Sequence, residues 1–548
     1  MSGTSRESLV RGGPFKVRPG SCFLRAAALG TAVLVLLAAP ALRGQADPAW
    51  GALADSAEFL HEGAAARAHV GVLAVSLESG DTLLAHQPDR RFIPASNHKL
   101  FVTGAFLEEF GPNARGTTRL DARGKVERKH GGRETKLKGD LVLRGSGCPD
   151  VVQLLRPGSR GLLDSLAYLL HDAGLVRFEG TVTVDGTLFA AEPYGVGWAI
   201  DDLPWSYGAA VNAVLANGNA ATLVASSGPK GVSLALEPPE VPLAIEGRVA
   251  AADSGVAPVL SIARDPGSHV LRVSGRLPRG LTLRKQVAVP DPDSAAGLML
   301  VGAMKRAGIE VRAKVAVARM PLGDDPLPDL RRPEGGSGSP RADFGSVGSK
   351  SFVPILRLAT PPASEFVSMV DAYSLNVESE ALLRLLDPAP LGKTVASALH
   401  RLNAILSDAG VDTLEVSAVD GSGLSPLNLA SPRAFVQWLV HLAQSPVGKV
   451  FQAALGSPGN VGTLERRFQG LSPSADVRAK TGTLTNVSAL SGYASTADGD
   501  RVAFSILSNG NRASVAPARS WEEAIVGLIA RYRKGAAEEP PVPRMIPR

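Results

Sequence analysis

Apolar and polar positions change period several times along the chain. Residues 69–75 (HVGVLAV) are apolar almost throughout and predict a strand, and 82–85 predict a second one beyond the turn at Ser79-Gly80-Asp81. Residues 52–66 and 99–110 carry helical patterns, so that one helix begins close to Ser96. Polar residues rich in Thr, Arg, Gly and Lys fill 116–140, as in exposed strands. Short strands follow at 139–143 and 180–185, separated by an amphipathic helix over 161–174 that ends on Gly174. From about 221 to 315, short alternating runs broken by Gly and Pro predict a mostly β module. Helical patterns return over 363–455, strands at 487–494 and 501–508, and a last helix at 520–533.

The Gly/Ser-rich stretch within 321–350 cannot build a core and reads as a linker or surface loop, and the Pro-rich tail from 536 reads as loose. A chain of 548 residues is too long for one ordinary core, so two or three domains are expected. Hydrophobic residues at 45% and charged residues at 20% are ordinary for a globular protein.

The net charge of +6 changes little once it is located. Arg6, Arg11, Lys16, Arg18, Arg25 and Arg43 against Glu7 put about +5 into residues 1–46, leaving the rest nearly balanced, which argues against a nucleic-acid partner. The same segment runs from basic residues through an apolar stretch (26–39) to Pro40 and small residues, the order of a secretory signal ending near Ala46. That predicts an exported, periplasmic or extracytoplasmic protein. An uncleaved tether is the alternative, although the apolar run is shorter than the ~20 residues of a spanning helix. Cys22 lies before the apolar run and Cys148 would be alone in the mature chain, so no intramolecular disulfide is expected. Cys148 sits in a turn-like run with no nearby His and is not expected to be a nucleophile.

Three short motifs carry candidate chemistry. In Ser96-Asn97-His98-Lys99, positions i and i+3 of a helix share a face, so Ser96 and Lys99 point into one space. A helix start favours negative charge, and a buried Lys beside other cations loses its proton more easily and can take the Ser96 proton. In Ser374-Leu375-Asn376, a hydroxyl and an amide on alternate positions suit a proton relay and a peptide contact. In Lys480-Thr481-Gly482, a cation and a hydroxyl suit a substrate carboxylate, and Gly482 lets a substrate backbone approach. Each is weak alone. Together and in this order they resemble the signature of serine β-lactamases and penicillin-binding proteins.

Surrounding stretches narrow the resemblance. Pro94–Lys99, Gly139-Asp140-Leu141, Trp198–Leu203, Tyr207-Gly208-Ala209, Asp420–Ser425, Gly462-Thr463-Leu464 and Lys480–Leu484 resemble the D-alanyl-D-alanine carboxypeptidase/endopeptidase family of class C, low-molecular-mass penicillin-binding proteins, peptidase family S13. The 275 positions between Lys99 and Ser374 match that family's inserted domains. The resemblance implies an α/β (α+β) penicillin-binding, serine β-lactamase-like catalytic domain with inserted mostly β and small α/β domains. The expected boundaries are 47–115 and 356–535 for the catalytic domain, 116–137 and 191–320 for the β insert, 138–190 for a nested α/β unit, and 321–355 for the linker.

It also implies roles. Ser96 is the nucleophile and Lys99 the base; Ser374 and Asn376 relay the proton and hold the peptide; Lys480, Thr481 and Gly482 bind the substrate carboxylate. The N–H groups of Ser96 and Thr483 form the oxyanion hole, Asp185 contacts a diamino-acid ammonium, and Ser422 lies among the substrate contacts. The implied partners are peptidoglycan peptides, with β-lactams as covalent inhibitors, and no metal or organic cofactor is required. Leu375, Pro426 and Thr485 depart from the family's usual residues, the last two where a peptide side chain would be recognised. The competing readings are a β-lactamase, an esterase or amidase of the same fold, and a non-catalytic wall-binding protein.

Overall fold

The computed structural model describes residues 68–129, 131, 133–322, 330–331, 340–511 and 516–534. The expected leader, the helix expected at 52–66, the Gly/Ser segment 335–339 and the tail lie outside them. In chain order the structure runs through β1 (His69–Ser76), β2 (Thr82–His86), α1 (Lys99–Phe110), β3 (Thr117–Lys129), β4 (Glu134–Arg144), α2 (Val152–Leu155), α3 (Leu162–Asp172) and β5 (Leu175–Asp185). It continues with β6 (Ala220–Gly228), β7 (Gly231–Glu237), β8 (Ala244–Ala252), β9 (Val259–Ala263), β10 (Val270–Pro278), β11 (Thr282–Ala288), α4 (Pro292–Arg306), β12 (Glu310–Val317) and β13 (Val353–Ala359). The last third holds α5 (Ala363–Tyr373), α6 (Asn376–Leu385), α7 (Val395–Asp408), β14 (Val416–Ser417), β15 (Leu429–Ala430), α8 (Pro432–Gln444), α9 (Gly448–Ala454), β16 (Arg478–Leu484), β17 (Val487–Ser495), β18 (Arg501–Asn509) and α10 (Ala516–Arg531).

An antiparallel sheet of order β16-β17-β18-β1-β2 joins the two ends of the described chain, with β1 paired to β18 from His69↔Asn509 to Ser76↔Val502. Successive side chains of a strand face opposite ways. Val70, Val72 and Ala74 of β1 therefore share a core with Leu490, Phe504 and Ile506, closed by Trp521, Ile525 and Ile529 of α10. Leu73 and Val75 join the other core, with Phe101 of α1 and Phe435 and Trp438 of α8. Covering on both faces is why 69–75 is apolar at nearly every position. Phe101 stacks on Phe435 with centroids 4.5 Å apart, and Trp438 Nε1 donates to the Leu100 carbonyl at 2.8 Å. Such a stack contributes about 0.5–1.5 kcal/mol beyond burial and fixes α1 against the bundle.

The insertion is organised differently from the expectation. One mixed sheet of order β12-β5-β4-β3-β13 gathers strands from both inserted segments, and the expected boundary at 137/138 falls inside β4. There β4 passes from an alternating half, in which Thr135 and Leu137 are buried, to a continuously buried end at Leu141, Val142 and Leu143. The linker expected to end at 355 is packed at its C-terminal end. Ala342 and Phe344 are buried, and β13 pairs with β3 from Val353 onward. The β module is two three-stranded sheets, β11-β6-β7 and β8-β10-β9, and it is followed by a helix that the alternation pattern passed over. That helix, α4, starts where Asp291 accepts the Ser294 N–H and Pro292 occupies the first turn, a start signal present in the sequence.

Candidate active site

Ser96 lies on a single 3-10 turn, Ala95–His98, that runs directly into α1. The turn is strained and heavily anchored. Ala95 has φ +49, a left-handed conformation that costs a non-glycine residue about 1–2 kcal/mol. Gly423 faces it, and a Cβ there would lie 1.9 Å from the Ala95 carbonyl oxygen. The Ile93 N–H donates to Asn509 Oδ1 at 2.7 Å, and Asn509 Nδ2 donates back to the Ile93 carbonyl at 3.0 Å. Asn97 Nδ2 donates to Ser491 Oγ at 2.7 Å, and Ser491 Oγ donates to Ser505 Oγ at 2.8 Å. The sheet thus grips the turn from below through Asn97, Ser491, Ser505 and Asn509. Sequence reasoning assigned none of these. Asn97 stood inside the first motif, but its partners are some 400 positions away.

Lys99 opens α1 with its side chain wholly buried. Its ammonium nitrogen lies 3.0 Å from Ser96 Oγ, 2.7 Å from Asn376 Oδ1 and 2.5 Å from the Ser422 carbonyl oxygen. Burial pushes it down to about 8, against the pull of Asp420, Glu380, Asp371 and Glu378. Asn376 is fixed from its other side, donating Nδ2 to the Tyr207 carbonyl at 2.9 Å. Ser374, two residues earlier, closes α5 in a left-handed conformation with φ 59 and ψ 45. This reversal between α5 and α6 is what turns Asn376 toward Lys99.

The carbonyl that receives Lys99 belongs to a loop built around two buried acids. Asp420 accepts the N–H groups of Gly423 at 2.8 Å and Ser425 at 2.7 Å, Asn428 Nδ2 at 2.7 Å and Trp198 Nε1 at 3.0 Å. Glu380 of α6 accepts the N–H groups of Gly421 and Ser422, each at 2.8 Å, and pairs with Arg384 at 3.0 Å. Ser422 therefore reaches the site through its carbonyl. Its hydroxyl is buried inside the loop, accepting the Leu424 N–H at 3.2 Å, so the expectation of a substrate contact is corrected.

Lys480 on β16 is also fully buried, and its ammonium donates to the Thr481 carbonyl at 2.9 Å. Burial and then repulsion from Lys99 push it down to about 7, opposed by Asp371. Gly482 has a different necessity from the one expected. A Cβ there would lie 2.5 Å from the Pro94 carbonyl oxygen and 3.1 Å from the Asn97 nitrogen, so glycine lets β16 close over the nucleophile turn itself. Gly482→Ala is expected to displace β16 by a few tenths of an ångström or more. Misplacement on that scale lowers acylation by about 10–100-fold, while overpacking lowers stability by about 1–3 kcal/mol. Stopped-flow acylation and thermal unfolding of the one variant check both.

Asp185, the remaining sequence candidate, and Cys148 both lie buried away from these groups. Asp185 ends β5 in the inserted sheet, buried and ion-paired to Arg144 at 2.5 Å, and it also accepts the Thr187 hydroxyl at 2.6 Å. A carboxylate already neutralised in this way is not free for a substrate ammonium, which corrects that expectation. Cys148 is buried, and burial pushes its thiol up to about 12, so it carries no thiolate. Thr481 is half-buried, and Thr483, the residue after Gly482, is exposed.

Residues 52–333 and 346–532 match the D-Ala-D-Ala carboxypeptidase 3 (S13) family. The chain is 28% identical over 537 residues to a D-alanyl-D-alanine carboxypeptidase of an Actinomadura species, covering 94% of this chain and 92% of that protein. It is 24% identical to the D-alanyl-D-alanine carboxypeptidase DacB of Haemophilus influenzae, over 88% and 94% of the two chains. The crystal structure of penicillin binding protein 4 from Haemophilus influenzae superposes with a TM-score of 0.67 at 22% identity, covering 88% of this chain and 99% of the other, which shows a shared fold. The chain belongs to the D-Ala-D-Ala carboxypeptidase 3 (S13) family and is a serine DD-peptidase.

Proposed function

We propose that this enzyme acylates Ser96 with muropeptides, releasing a terminal D-Ala or opening a D-Ala–diaminopimelate cross-link, in the extracytoplasmic wall. The observation that carries the reading is the 3.0 Å contact between Ser96 Oγ and a buried Lys99 whose proton affinity is lowered. Ser96 Oγ attacks the carbonyl carbon before the terminal D-Ala as its proton passes to Lys99 Nζ. The oxyanion is held by the N–H groups of Ser96 and Thr483. Lys99 returns the proton, by way of the Ser374 hydroxyl, to the leaving amine nitrogen as the C–N bond breaks. Water, deprotonated by Lys99, then attacks the acyl carbon and frees Ser96. Asn376 orients Lys99 and the peptide, and Lys480 with Thr481 holds the terminal carboxylate.

A β-lactam presents the same two groups, an amide carbonyl and a carboxylate, and the same steps make it a covalent inhibitor. The basic, apolar and small-residue order of 1–46 supports export. Pro426 and Thr485 place no cation or amide side chain where a peptide side chain would be read. The deciding experiment incubates the enzyme with intact muropeptides and weighs the products: loss of one D-Ala from monomers, or splitting of cross-linked dimers. Ser96→Ala is expected to abolish both and to take up no penicillin label. Retention of either activity would overturn the assignment of Ser96.

A further inference from the structure

Beside β16 stands a cation that the reaction above does not use. Arg519 of α10 is exposed, and its guanidinium donates to the Thr483 hydroxyl oxygen at 3.4 Å. The acids nearest to it along the helix are already taken. Glu522 accepts Ser488 Oγ at 2.6 Å and Arg467 Nη2 at 3.0 Å, and Glu523 accepts Arg467 Nε at 2.7 Å. Among the described residues, no carboxylate forms an ion pair with Arg519.

The two faces of β16 say what that cation can reach. Alternate residues of a strand face opposite ways. Gly482 is paired with Ala489, which lies in the core around α1, whereas Ala479 lies in the core under α10. Lys480 and Gly482 therefore face the nucleophile turn, and Thr481 and Thr483 face the side on which Arg519 stands. β16 ends its sheet, so a peptide laid along that edge passes both threonine hydroxyls. The Thr483 hydroxyl accepts from Arg519 and keeps its own proton to donate, and the guanidinium has further N–H groups to offer. On the opposite face Lys480 is fully buried, and its ammonium donates to the Thr481 carbonyl at 2.9 Å. Arg519 is thus the positive charge that solvent and ligand reach beside Thr483.

We propose that Arg519 is a substrate-binding residue: with the Thr483 hydroxyl it holds the carboxylate on the carbon that bears the leaving nitrogen, and so selects acyl donors whose leaving group carries a free carboxylate over those in which it is amidated. This rests on the reading given above, in which the peptide places that carboxylate against β16. Both leaving groups named there, D-Ala and the diaminopimelate of a cross-link, carry a carboxylate on that carbon. A guanidinium keeps its charge at every working pH and presents its N–H groups in a fork that fits a carboxylate. The carboxylate departs with the leaving group once Ser96 is acylated. Arg519 therefore acts on binding before acylation and has nothing to hold during deacylation.

The test uses diacetyl-lysyl-D-Ala-D-Ala and its C-terminal amide, two donors that give the same acyl-enzyme. The wild-type enzyme is expected to favour the acid in kcat/KM. Arg519→Gln is expected to raise KM for the acid about tenfold, the size of one charge-assisted hydrogen bond at an exposed site, while kcat changes little. The same variant should move KM for the amide far less. Arg519→Lys keeps the charge without the fork and should recover part of the acid's KM. An unchanged KM for the acid in Arg519→Gln, or an equal loss with both donors, would overturn the role of Arg519, and a wild-type preference for the acid would leave the carboxylate reading of β16 standing. If the wild-type enzyme itself treats acid and amide alike, that carboxylate reading falls, and the role of Arg519 with it.

Discussion

Lys99→Met is expected to slow acylation of Ser96 by about 10³-fold while leaving the enzyme folded. A positioned general base contributes about 10²–10⁴-fold, and methionine keeps the length and the burial of the side chain without a titrating nitrogen. The pH profile separates loss of a base from loss of packing. Lys99 must be neutral to accept the Ser96 proton, and burial pushes it down to about 8. Below about pH 7, where Lys480 also keeps its proton, wild-type acylation should fall about tenfold for each further pH unit. The Lys99→Met enzyme should show no limb near 8. Fluorescent-penicillin labelling rates from pH 6 to 9 measure both curves. A variant that kept the limb would place the titrating base on another residue.

Glu380→Ala is expected to be the most destabilising single change at the site. Glu380 and Arg384 are 0% and 1% exposed and pair at 3.0 Å one turn apart on α6. Arg384 cannot shed its proton, and a buried cation left without its partner costs about 3–5 kcal/mol. The same change orphans the Gly421 and Ser422 N–H groups, each about 1–3 kcal/mol when buried. Because Ser422 supplies the carbonyl that receives Lys99, acylation should fall as the loop loosens. Adding Arg384→Met to Glu380→Ala should recover part of the stability, since it removes the stranded charge, but none of the loop's hydrogen bonds. Denaturant unfolding of the two variants measures the difference. Equal stabilities would mean that solvent reaches Arg384.

Much of the chemistry was legible locally. The i,i+3 spacing of Ser96 and Lys99 needs only a helix start, and the structure puts that start at Lys99 with the nitrogen 3.0 Å from the hydroxyl. The strands at 69–75, 487–494 and 501–508 were legible because periodicity is written into neighbouring residues. The helix α4 was missed although Asp291 and Pro292 announce it, because alternation on either side dominated the reading. Asp185 looked like an open contact because the sequence does not reveal that Arg144 pairs with it across β4 and β5.

What the sequence by itself determined is therefore the set of reactive groups, the order of the motifs that carry them and most of the elements that hold them. Each depends on residues within a turn or a few strand positions of one another. Only the tertiary structure decided the proton balance of the site. The acceptors of Lys99 come from Asn376 and Ser422, the charge facing Lys480 comes from Asp371, and Gly482 is required by Pro94. Those partners are all more than a hundred positions apart. Coulombic and steric terms depend on distance and burial in the folded chain, and no local pattern encodes either.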